Sequence, residues 1–82
     1  MLKLNVRTKS KPEDVVKKAL EFFGPGGYGL KITEQSDTCA LFEGGGGGID
    51  VTACSDDNGT SVDLETREWD YQVREFARKI KR

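Results

Sequence analysis

The chain has 82 residues, enough for one hydrophobic core and too few for two. Hydrophobic residues make up 35% and charged residues 33%, a balance that folds and does not stay disordered. Net charge is −1 and histidine is absent, which removes a global pull toward nucleic acid or anionic membrane, and with it the commonest general base and metal ligand.

Leu2, Leu4 and Val6 alternate with Lys3, Asn5 and Arg7, the period of a strand with one buried face. Ser10, Pro12 and Glu13 form a helix-start signal of the capping-box kind. Val15, Val16, Ala19, Leu20 and Phe23 then share one helical stripe, and Gly24-Pro25 ends it. A four-strand meander follows. Its strands contain Leu30 and Ile32, Cys39 to Glu43, Ile49 to Ala53, and Val62 to Leu64. Ser36-Asp37, the run Gly44 to Gly48, and Asn58-Gly59 connect them, the last being a type I′ hairpin signal. Trp69, Val73, Phe76, Ala77 and Ile80 make a second helical stripe, with Asp70 as N-cap. Arg78, Lys79, Lys81 and Arg82 suit its carboxyl end. The expected fold is a single α+β domain over residues 1–82, β-α-β-β-β-β-α. Five antiparallel strands would form a curved sheet with both helices on one face.

Turn positions set strand registers, and registers set faces. A two-residue turn at Ser36-Asp37 pairs Ile32 with Leu41. A type I′ turn at Asn58-Gly59 pairs Ala53 with Leu64 and Asp50 with Arg67. A loop centred on Gly46 pairs Leu41 with Val51 and Phe42 with Asp50. The alternative, a turn on Gly46-Gly47, sets Cys39 opposite Cys54 and Glu43 against Asp50, like charge on like. The preferred set buries Leu30, Ile32, Leu41, Ile49, Val51, Ala53, Val62 and Leu64. It leaves the row Lys31, Phe42, Asp50, Arg67 on the face without helices. Phe42 is then either one bare ring beside the Lys31 stem or the centre of a binding patch.

The element order β-α-β4-α resembles one half-repeat of the TATA-binding-protein-like architecture, and it also looks like a shortened helix-grip (START-like) domain. The resemblance covers nearly the whole chain as element order and carries no family motif. It implies a curved sheet with an open concave face. On that face TATA-binding proteins read DNA, whereas here it carries Asp50, Asp63 and Glu65, which disfavours nucleic acid. A helix-grip ligand cavity needs a longer final helix than this one.

The glycine run Gly44, Gly45, Gly46, Gly47 and Gly48 lacks the lysine and hydroxyl of a P-loop. It reads as a flexible hairpin tip, an anion nest, or a stripe bare of side chains where another backbone could approach. Cys54, Asp56, Asn58 and Glu65 imitate calcium-loop spacing, but the hairpin turn explains them better. Cys39 is expected inward and Cys54 outward, with no partner to activate either. Asp50, Asp63 and Glu65 read as solvated strand residues before they read as an acid pair.

No catalytic residue, metal or cofactor is therefore expected. The function expected is a small non-catalytic interaction module, self-associating or protein-binding through its open sheet face or a sheet edge. Two copies joined edge to edge would imitate a two-repeat saddle. One alternative is nucleic-acid association through the basic helices, because both ends of the chain are basic and its middle is acidic. Another is a small-ligand binder on the open face. No apolar run spans a bilayer and the start lacks a secretory pattern, so no membrane is expected and a cytoplasmic location is.

Overall fold

A computed structural model describes residues 2–81; Met1, and Arg82 with its expected place at the helix end, lie outside them. The elements are β1 (Leu2–Thr8), α1 (Pro12–Phe23), β2 (Lys31–Gln35), β3 (Cys39–Gly44), β4 (Gly47–Asp56), β5 (Gly59–Arg67) and α2 (Asp70–Ile80). The five strands form one antiparallel sheet in the order β1-β5-β4-β3-β2. Both helices lie on the same face, α1 over β3 and β4 and α2 over β1 and β5. The order expected from hydrophobic periodicity is the order found.

Helix starts differ from the sequence reading. Lys11 and Trp69 occupy the N-cap positions, and neither helix has a side-chain cap. Ser10 instead spends its backbone on threonines. Its amide donates to Thr8 Oγ1 (3.3 Å) and its carbonyl accepts from Thr60 Oγ1 (2.5 Å). Asp70 sits one residue into α2, where an acid still suits the positive end of the helix dipole.

The core joins Val15, Val16, Ala19 and Phe23 of α1 and Val73, Phe76, Ala77 and Ile80 of α2 to the inward rows of the sheet. On β4 and β5 these rows are Ile49, Val51, Ala53, Val62 and Leu64, as the alternation requires. On β3 they are Ala40 and Phe42, and this reverses the expectation. Phe42 is 2% exposed, its ring 5.5 Å from that of Phe23, and Leu41 faces the other side. An edge-on aromatic pair of this kind contributes about 0.5–1.5 kcal/mol beyond area burial.

Two causes account for the reversal. Thr33 is an extra residue in β2, so the register slips between Ile32↔Phe42 and Glu34↔Leu41. The glycine hairpin turns on Gly45-Gly46, one residue before the alternative considered and in neither expected register; Ala40 meets Val51 and Phe42 meets Ile49. The β4–β5 pairing keeps its faces but shifts by two, with Val51 opposite Leu64 and Asp50 opposite Glu65. Its turn lies at Asp57-Asn58 with negative φ at both, and Gly59 takes the positive φ of +131°. Cys39 therefore faces outward across from Thr52, on the same side as the exposed Cys54.

Candidate functional site: open sheet face and β1 edge

The expected row of Lys31, Phe42, Asp50 and Arg67 does not form. Lys31, Glu43, Gly48 and Arg67 make one row of the open face; Lys3, Glu65, Asp50 and Leu41 make the next. Lys31, Asp50 and Arg67 are thus exposed on the face without helices, and Phe42 is beneath it.

Between these rows lies a hollow of about 170 Å³ bordered by Thr33, Leu41, Gly48, Asp50, Glu65 and Arg67. Gly48 opens it by carrying no side chain. Asp50 and Glu65 stand directly opposite one another, an arrangement that disfavours two charges. Partial burial, then Glu65, push the Asp50 carboxyl above its usual range, and Arg67 pulls it back. Lys3 Nζ lies 3.9 Å from Glu65 Oε1. Asn5 Nδ2 donates to Asp63 Oδ1 (2.8 Å) and Ser61 Oγ (2.9 Å), and Arg7 clasps Asp56 at 2.5 Å. The acids are spread along the strands, and among the described residues no three of them could share a metal ion.

The glycine hairpin is a tight turn. Gly45 and Gly46 have φ of +58° and +82°, the two positive values that a type I′ turn needs and that L side chains resist. A Cβ on Gly47 would stand 2.0 Å from the Arg67 carbonyl oxygen. Trp69 Nε1 donates to the Gly44 carbonyl at 2.9 Å, and its ring lies where a Gly45 side chain would project. The side-chain-free stripe does admit another backbone, and that backbone is the chain's own.

The sheet ends differ. At one edge β2 has five residues, is bulged at Thr33 and is exposed at Lys31, Thr33, Glu34 and Gln35. At the other, β1 has seven residues paired without interruption from Leu2↔Thr66 to Thr8↔Thr60. Ala53 N–H donates to the Thr38 carbonyl (2.8 Å), and alternation across the ladders turns the amides of Leu2, Leu4, Val6 and Thr8 toward β5. The amides and carbonyls of Lys3, Asn5 and Arg7 point off the sheet. Leu2, Leu4 and Val6 pack on the core but remain half-buried, so the inward row is incomplete on this side.

The flank of α2 above that edge is cationic. Phe76 meets Phe22 of α1 (5.5 Å between rings) and Lys79 lies over the same ring, which fixes the side of α2 turned toward α1. α2 packs over β1 and β5; Arg74 and Lys81 fall on its side turned away from α1 and Arg78 on its outer face, and all three are exposed. Arg78 pairs with Glu75 at 2.9 Å; among the described residues Arg74 and Lys81 have no carboxylate within ion-pair distance. Asp70 is the acid at the start of this flank.

Sequence periodicity marked β1 as a strand but did not mark its edge as a site, because edge position depends on sheet order. No protein-family profile matches the chain, and neither a curated protein nor a solved structure shows significant similarity to it. Among the described residues no helix is long and apolar enough to cross a membrane.

Proposed function

We propose that the chain is a small non-catalytic interaction module that receives an extended segment of a protein partner as a sixth strand against β1. The contrast between the two edges carries this reading. Sheet proteins that keep an edge unpaired shorten it, bulge it or charge it, and β2 has these features. β1 offers an unbroken line of outward amides and carbonyls beside a half-covered apolar row, which is what strand addition uses for affinity and specificity. The open face, with Phe42 withdrawn into the core, supports a partner less well.

A displayed library of random peptides tests the reading. Asn5→Pro removes an amide that faces away from β5 and blocks the edge without breaking the ladder. Asn5→Ala controls for the loss of the Asn5 side-chain bonds, and Lys3→Pro serves as a second edge block. Selected peptides should bind the parent chain and Asn5→Ala, lose binding to both proline variants, and tolerate Gln35→Pro on the β2 edge. Peptides indifferent to both β1 prolines would overturn the reading.

A further inference from the structure

The β1 edge is bordered by cations on both sides of the sheet. Lys3 and Arg7 project from its open face, where they already meet Glu65 and Asp56, and Lys9 is an exposed cation in the bend after the strand. On α2, Arg74 and Lys81 lie on the flank turned away from α1, Arg78 is paired with Glu75, and Asp70 is the opposing charge at the start of the helix. Leu2, Leu4 and Val6 face the helix layer between these two rims.

Resting on the strand-recruiting reading, we infer that the partner segment alternates acidic and apolar residues, and that an acidic strand, not a second copy of this chain, occupies the edge. In an added antiparallel strand, residues opposite Lys3, Asn5 and Arg7 lie on the open face, where a carboxylate joins Lys3, 3.9 Å from Glu65, or shares Arg7 with Asp56. Residues opposite Leu4 and Val6 turn inward and complete the apolar row. An acid at either end of the segment on the helix side reaches Arg74 or Lys81.

A second copy fits this edge poorly. Pairing about Asn5 sets Lys3 against Arg7 of the other copy. Pairing about Leu4 avoids that and matches Leu2 with Val6, but a two-fold axis at either point sets Arg74 near the middle of one α2 helix against Arg74 of the other, with Asp70 of each toward the Arg78 end of its neighbour. Like-charge contact of this kind selects against the copy and leaves the acidic strand favoured.

Two blocked five-residue peptides, one alternating glutamate with valine and the other lysine with valine, test the inference. N-methylation of alternate amides lets each pair by one edge only. The glutamate peptide should slow hydrogen exchange at the Lys3, Asn5 and Arg7 amides, and the lysine peptide should not. Raising salt from millimolar to about 0.15 M should weaken the glutamate peptide several-fold. The double variant Arg74→Glu, Lys81→Glu should weaken it about tenfold. Equal protection by the two peptides overturns the inference. So does a dimer in sedimentation that protects the same three amides, or an RNA mobility shift at low salt that does so. If library peptides depend on the β1 edge but carry no acids, the inference falls and the strand-recruiting reading stands. If no ligand touches the β1 amides, both fall.

Discussion

At one end of β4 the chain turns through Gly45 and Gly46; at the other it turns through Asp57 and Asn58. Both turns use two residues, and they are held by different means. The glycine turn is fixed from outside, by Trp69 bonded to the Gly44 carbonyl and by the Arg67 backbone pressed against Gly47. The acidic turn is fixed locally and by one neighbouring strand: Asp56 Oδ1 accepts the Asn58 amide at 2.9 Å, and Arg7 of β1 holds the same carboxylate. A run of glycine that reads as slack is therefore tied into the fold, while the turn with the stronger local signal rests on exposed hydrogen bonds. Absence of side chains measures how closely another part of the chain approaches.

The largest effect expected from this contrast is at Gly47. Gly47→Ala forces a methyl onto the Arg67 carbonyl and should cost about 3 kcal/mol, lowering the melting temperature by roughly 15 °C. A melt within a few degrees of the parent would show that β4 and β5 can part there without penalty. Next is Trp69→Phe, which keeps an aromatic ring but removes the donor to Gly44. It should cost about 1–2 kcal/mol in urea unfolding. An unchanged midpoint would mean that the indole bond adds nothing to the turn.

The smallest effects lie in the acidic half, and two carboxylates there differ in sign. The Arg7 hydrogen bond, then the Asn58 amide, hold Asp56 below its ordinary value of 3.8. Its contribution is present above that value and is lost as pH falls through the lower folded one. Asp50 is raised by burial and by Glu65, so its ionised form opposes folding at neutral pH, and that opposition fades as pH falls through the raised value. Asp56→Asn should lower the melting temperature slightly at pH 7, and Asp50→Asn should raise it slightly. In melts near pH 3 the Asp50 difference should vanish, because that pH lies below its ordinary value, whereas the Asp56 difference should only be shrinking. An Asp50 difference that persists there would trace to packing and not to ionisation.

The legible parts of the fold are those with long, clean alternation. Ile49, Val51 and Ala53, and then Val62 and Leu64, state their inward face without help, and the helical stripes of Val15 to Phe23 and Val73 to Ile80 do likewise. Cys39 to Phe42 is an unbroken apolar run, so its face had to come from the turns on either side. The strand before the first carries a bulge at Thr33, and the second turns on Gly45-Gly46. Asn58-Gly59 misled by one residue because the glycine takes its positive φ after the turn, not within it. Of the four open-face residues selected from sequence, Lys31, Asp50 and Arg67 lie on that face and Phe42 does not. The β1 edge was invisible, since nothing local distinguishes an edge strand from a central one until the order of the sheet is known.

The ladder between Leu2↔Thr66 and Thr8↔Thr60 joins opposite ends of the chain, whereas every other ladder joins neighbours in sequence. Closing so long a loop is entropically the most demanding step, so the meander can zip early while β1 docks late. During that interval β5 is itself a bare rim. At high concentration the first strand of another molecule should compete for it, and stopped-flow refolding should then depend on protein concentration.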